Sequence, residues 1–215
     1  MTPKTWQEVD LAYYDNIKGK SYPASIQLLR PITWLKHHGM HQVGKRVVLS
    51  ISEFGINQIQ ANVTAIKPTT LDTSVIDWSK QVSRPVIGKF KRYASIVKTY
   101  TFKNLVTGKL STINTTPNHQ FYIENKKAFI PIDNVTATDK LVSEAGQPIR
   151  LLCFSGKQRH CGKSYNNKKP VPVYNLEIYQ QHIYFVGHAS ILVHNNCRIE
   201  HLNNIDSALN DSIRN

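Results

Sequence analysis

Apolar and polar residues alternate along most of this chain in short runs, and polar or glycine-bearing turns separate the runs. Alternation with period two places one set of side chains on each face of a strand. RVVLSIS (46–52) predicts a strand from its β-branched content. EFGIN (53–57) then reads as a turn, and QIQANVTAIKP (58–68) as a second strand that stops at Pro68. YASIVKTYTFKN, LVTG and KLSTIN (93–114) predict a hairpin. QFYI, ENKK and AFIPI (120–132) predict strand, turn and strand, and PIRLLCFSG (148–156) another strand. VPVYNLEIY (171–179) alternates, with Tyr174, Leu176 and Ile178 expected on one face. A turn at Gln180 and Gln181 leads into HIYFVG and then ASILVHNN.

Other stretches depart from that period. Residues 1–20 predict a short helical or irregular lead-in ending at Gly19. In SIQLLRPITWLKHHG (25–39), Leu28, Leu29, Ile32, Trp34 and Leu35 suit a strand followed by one helical turn. LDTSVIDWSKQV (71–82) predicts a short helix, broken by Pro85 and Gly88. DNVTATDKLVSEAG (133–146) reads as a loop anchored at Leu141 and Val142. Residues 156–170 are polar, basic and punctuated by glycine, which predicts an exposed loop. Ile199, Leu202, Ile205 and Leu209 have helical spacing in the tail. Together these elements predict an all-β domain over residues 21–196, with a lead-in at 1–20, a short flank at 197–215 and helical segments only near the ends.

Composition narrows the class. Hydrophobic residues are 40% and charged residues 19%, enough apolar content to bury a core. The net charge of +13 permits nucleic-acid binding, but the basic residues are spread along the chain, and nucleic acid is not the expected partner. Three cysteines, Cys153, Cys161 and Cys197, are an odd and small set, so no disulfide framework is expected. Cys153, His160 and Cys161 lack the second pair that a zinc site wants, and HHGMH (37–41) reads as a surface turn; no metal or cofactor is expected. The N-terminus has no apolar h-region and no stretch is long enough for a membrane span, so the chain is expected to be soluble and any export to use a route other than a Sec-type signal.

Candidate chemistry sits where strands end. An asparagine side-chain amide can attack its own main-chain carbonyl, forming a succinimide and breaking the following peptide bond. His194-Asn195 pairs that asparagine with an imidazole whose ordinary pKa, about 6.5, suits proton transfer. A capped strand end has the same composition. In TTPNHQFYI (115–123), Thr116 and His119 stand three apart in a turn before a strand. A hydroxyl and an imidazole so placed can grip one peptide bond, although Pro-Asn turns are also common without chemistry.

TTPNHQFYI, followed by PVYNLEIYQQHIYFVGHASILVHNNC, resembles the Hint (hedgehog and intein) superfamily, and most of all the pretoxin Hint domains of bacterial polymorphic toxins. The blocks that carry the likeness are Thr116 to His119, Tyr174 to Ile178, His182 to Val186 and Leu192 to Asn195; AFIPIDNVTATDKLV resembles the connecting segment. The resemblance implies a horseshoe-like all-β fold and two self-directed reactions. One is an acyl shift at an N-terminal Cys or Ser, served by His119 and Thr116. The other is cyclisation of Asn195, assisted by His194, with His182 orienting the carbonyl or relaying a proton. Such a domain acts once, on its own chain, rather than as a turnover enzyme, and its partner is a downstream toxin segment.

The chain departs from the family pattern in three places. No cysteine precedes Cys153, so the expected N-terminal nucleophile is Ser21, with Ser25 second. Asn196 follows the scissile bond and cannot accept an acyl group, which points to cleavage without ligation; the alternative register makes Asn196 the reacting residue and Cys197 the acceptor. The segment after Asn195 is too short for an enzyme and reads as a remnant or as the start of a longer segment. The competing function is an inactive Hint-like scaffold or basic binding module.

Overall fold

A computed structural model describes residues 1–51, 54–77, 84–153, 161–164 and 169–195. The strands in chain order are β1 Trp6–Ile17, β2 Lys20–Pro31, β3 Arg46–Ile51, β4 Ile56–Pro68, β5 Val86–Ala94, β6 Lys98–Asn104, β7 Leu110–Thr115 and β8 Gln120–Ile123. They continue with β9 Ala128–Pro131, β10 Leu141–Val142, β11 Pro148–Leu152, β12 Lys163–Ser164, β13 Val171–Ile178, β14 Ile183–Val186 and β15 Ile191–His194. One helix, α1 Ile32–His37, follows β2. The chain divides into two compact units: Met1–Tyr93 with Pro172–Gln181, and Ala94–Val171 with His182–Asn215.

The first unit is a six-stranded sheet in the order β13-β5-β2-β1-β4-β3. Its centre is a long hairpin in which β1 and β2 pair from Trp6↔Pro31 to Ile17↔Lys20. The turn residues Lys18 and Gly19 both have positive φ, 50° and 75°, the backbone that lets a two-residue turn follow the strand twist. Thus the segment expected as a helical or irregular lead-in is a strand. Its WQEVDLAYY pattern buries Val9, Leu11 and Tyr13 on one face, and β2 completes that face with Ala24, Ile26 and Leu28. Between β1 and β4 the register slips from Asp10↔Ala65 to Leu11↔Val63. The extra residue, Thr64, donates its hydroxyl to the Asp10 carbonyl at 3.0 Å.

Two local expectations in this unit change. Met40, within the stretch expected to be a surface turn, is fully buried, and so is Leu35 of α1. Residues 86–94, for which no strand is expected after the break at Pro85 and Gly88, form β5. Gly88 is there because Glu177 crosses it: a Cβ at Gly88 would stand 2.6 Å from Glu177 Oε2. Arg30 Nη2 donates to both Glu177 oxygens, at 2.8 and 2.6 Å, while its Nη1 donates to the Leu29 and Ile87 carbonyls, so a buried carboxylate is matched by an anchored cation. For the same reason β13 does not keep its expected face: Tyr174 is exposed while Glu177 and Ile178 are buried. Residues 71–77 contain no helix, and 78–82 lie outside the described residues.

The second unit holds two smaller sheets, β10-β11-β6-β12 with β7 also on β6, and β14-β15-β8-β9. Tyr100, Phe102, Phe121, Ile132 and Val193 are fully buried in its core. β7 occupies one edge of β6 throughout, from Lys98↔Thr115 to Lys103↔Leu110. β11 and β12 share the other edge, with Leu152 opposite Thr101 and Lys163 opposite Thr99. The chain therefore leaves that edge and returns to it two residues further along. This return brings Cys153 and Cys161 to a Cα–Cα distance of 4.2 Å, and they form a disulfide. It corrects the expectation that these cysteines give no disulfide framework, because spacing alone does not show that two strands share an edge. Gly162 passes beside Tyr100, where a Cβ would stand 2.6 Å from the ring.

Candidate active site

The central strand of the four-stranded sheet, β15, ends at His194 and lies antiparallel to β14 and β8 on its two sides. His194 pairs with Ile183 on one side and with Gln120 on the other. The residues just before those partners are His182 and His119. Antiparallel pairing therefore gathers three histidines, far apart in sequence, at one end of one sheet. Asn195 is the next residue along β15. Its amide N–H donates to the His182 carbonyl at 2.9 Å. Continuing the Val193↔Phe121 and His194↔Gln120 register by one residue sets Asn195 across from His119.

Side-chain alternation sorts these groups. Leu192 and His194 share the face that carries Tyr122 and Phe129, and the His194 and Phe129 ring centroids are 5.0 Å apart. Ile191 and Val193 face the core with Phe121. By the same alternation Asn195 belongs to the core face, and it is 1% exposed. His119 packs edge-on against Phe121, with centroids 5.8 Å apart. His182, which is exposed, lies with its ring centroid 6.0 Å from that of His194.

The electrostatics follow from this packing. Burial lowers the pKa of His119 to about 4. Burial, and then the nearby His182 and His119, lower that of His194 to about 4. Both rings are therefore neutral at neutral pH. A neutral imidazole carries one N–H donor and one acceptor nitrogen, so it can accept a proton before it gives one back.

Thr116 and His119 belong to a tight turn between β7 and β8, in which the His119 amide donates to the Thr116 carbonyl at 3.1 Å. Thus Thr116, His119, His182, His194 and Asn195 all fall in the second unit. Ser21 and Ser25 fall in the first, exposed on β2. Ser21 pairs with Asn16 beside the hairpin turn. Asn196, Cys197 and His160 lie outside the described residues. Sequence reasoning missed Phe129, the aromatic wall against His194. Its signal was available in AFIPI, a strand directly following QFYI. Among the described residues, no group of three or more His, Cys, Asp or Glu is placed to hold a metal ion, and no helix is long and apolar enough to cross a membrane.

The family model described as the pretoxin HINT domain matches residues 55–196. The chain belongs to the pretoxin HINT domain family. The match takes in the Thr116–His119 turn, the three histidines and Asn195, and it ends one residue beyond Asn195. Among solved structures, this HINT domain is similar to a bacterial intein-like domain from Clostridium thermocellum, at 18% identity, covering 90% of this chain and 99% of that one, with a TM-score of 0.42. It is also similar to the Mvu transcription factor IIB mini-intein, at 10% identity, 87% and 98% coverage and a TM-score of 0.35. The TvoVMA intein is similar at 13% identity, 88% and 98% coverage and a TM-score of 0.35. No curated protein matches the chain.

Proposed function

We propose that this HINT domain cuts its own chain after Asn195 by asparagine cyclisation, and so frees a toxin-type segment that follows, without rejoining the flanks. The observation that carries this is a buried asparagine at the end of β15, at the strand ends where His119, His182 and His194 converge. Asn195 Nδ2 attacks the Asn195 carbonyl carbon, and the new C–N bond closes a succinimide. The peptide bond to residue 196 breaks. One proton passes from Nδ2 to the departing amine, so no water or cofactor is consumed.

A neutral His194 suits that transfer as acceptor first and donor second, which refines the role expected for it as a simple proton donor. The His182 carbonyl fixes the Asn195 backbone from one side. From the other side, His119 is a second imidazole for the same bond, and Thr116 supplies a hydroxyl in the same turn. Ser21 is the proposed hydroxyl for an N-terminal acyl shift. Intact-mass measurement of the incubated chain tests the proposal. A fragment ending at Asn195, lighter by one water than its hydrolysed form, is expected from the wild type and absent from Asn195→Ala. Persistence of the full-length wild type from pH 5 to 9, about the span that brackets histidine titration, overturns it.

A further inference from the structure

The turn that carries His119 is held from outside itself. Two successive amides of the 3-10 turn Ile132–Asn134 reach it: Ile132 N–H donates to the His119 carbonyl at 2.9 Å, and Asp133 N–H donates to the Pro117 carbonyl at 3.1 Å. Ile132 is fully buried, so the clamp is seated in the core. The Asp133 carboxylate is gripped in turn by β6. Lys98 Nζ donates to its two oxygens at 2.6 and 2.8 Å, and the Tyr100 hydroxyl donates to Oδ1 at 3.0 Å. Lys98 and Tyr100 are two residues apart on one strand and so share a face, and the Lys98 and Asp133 side chains are 13% and 22% exposed. Shielded from water, these charge-assisted bonds are stronger than surface ones.

The connections close on themselves. The backbone of Lys98 pairs with Thr115, the residue from which the turn departs. Its side chain holds the carboxylate of Asp133, whose own amide holds Pro117 near the start of that turn, while the amide of the neighbouring Ile132 holds His119 at its end. One lysine therefore touches the start of the Thr116–His119 segment directly, and reaches its end through Asp133 and the adjoining Ile132 amide.

We propose that Asp133 is a positioning residue for the cleavage site: its carboxylate, fixed by Lys98 and Tyr100, sets the backbone clamp that places His119 opposite Asn195. This rests on the proposed self-cleavage, but it concerns geometry that exists before any bond breaks. It is therefore tested first in the uncut chain carrying Asn195→Ala, by following the His119 ring through a pH titration by NMR. Adding Asp133→Asn is expected to loosen the turn and admit water to His119, moving its titration midpoint from about 4 toward the ordinary histidine value of about 6.5. Tyr100→Phe is expected to move it less, and Lys98→Met by an intermediate amount.

Near-UV circular dichroism establishes that each variant is folded. If Asp133→Asn does not fold, the two milder variants decide. A His119 midpoint that stays in place in the folded variants overturns the proposal, because an aspartate that merely stabilises the fold would leave the midpoint where it is. In the chain that retains Asn195, Asp133→Asn is expected to slow cleavage by about tenfold or more, within the range general acid–base assistance supplies. An uncut wild type would remove the self-cleavage reading alone, and the titration would still decide the place of Asp133.

Discussion

The two units use the same local rule, strand alternation, toward opposite ends. In the first unit the strands are long. β1 and β2 have 12 residues each and β4 has 13, and the β1–β2 pairing runs unbroken from turn to terminus. Most of the length lies inside the ladder, where backbone groups are paired and side chains serve the core. In the second unit β8, β9, β14 and β15 have four residues each. Short strands put many chain ends near one another, and ends are where polar side chains can leave the ladder while remaining half-buried. Three histidines and an asparagine meet there without any of them being close in sequence, apart from His194 and Asn195. The buried ion pairs differ in the same way. Arg30–Glu177 joins two strands of one sheet, whereas Lys98–Asp133 joins a strand to the turn that supports the candidate site.

The sharpest way to separate the units is to remove the reacting group. Asn195→Ala is expected to abolish release of residues 196–215, as read by intact mass, while the thermal melt stays near that of the wild type. Arg30→Met breaks the comparison from the other side. It leaves Glu177 buried beside Gly88 without its cation and is expected to cost about 3 kcal/mol of stability in a denaturant melt. The cut should continue in whatever fraction stays folded. His194→Ala should slow cleavage by about a hundredfold at constant stability, the loss expected when a proton carrier is removed.

The disulfide gives a smaller effect. Cys161→Ser, or reduction of the wild type, is expected to lower stability by about 2 kcal/mol, as for a short closed loop. A matching free-thiol count on the unfolded chain checks that the bond was there.

The smallest effect is pH dependence. His119 and His194 both have lowered pKa values, about 4, so both are neutral above pH 5. Cleavage should be nearly flat from about pH 6 to 8 and fall to about a quarter at pH 4, where each ring is half protonated. The sign for stability follows from linkage. The unfolded histidines, with pKa near 6.5, bind protons that the folded ones refuse. Stability is therefore lost as pH falls from about 6.5 to 4, and changes no further from these groups below that. A melting temperature that rises on acidification through this range would contradict the burial of the two rings.

Alternation makes most of the strands legible in the sequence, because β3, β4, β6, β7, β8, β9, β11, β14 and β15 each carry a period-two or continuous apolar run bounded by turns. β1 was missed because its exposed positions hold tyrosine and asparagine beside acidic residues, and at the chain's start these resemble an irregular lead-in. β5 was missed for a physical reason also: Pro85 and Gly88 normally interrupt a strand, and only the passage of Glu177 over Gly88 explains the glycine. At the candidate site, the candidacy of His194, Asn195, His119 and Thr116 was legible from their motifs, and that of His182 from the resemblance to the Hint superfamily. Their convergence was not, since it depends on β15 lying between β14 and β8. The grip of Lys98 and Tyr100 on Asp133 was invisible for the same reason, as the lysine and the aspartate are 35 residues apart.

The most direct measurement of the central claim is the mass of the incubated chain at neutral pH. Self-cleavage predicts two products, one comprising residues 1–195 and ending in a succinimide, the other beginning with a free amine at Asn196. A chain that stays whole, or one that breaks anywhere other than after Asn195, would contradict it.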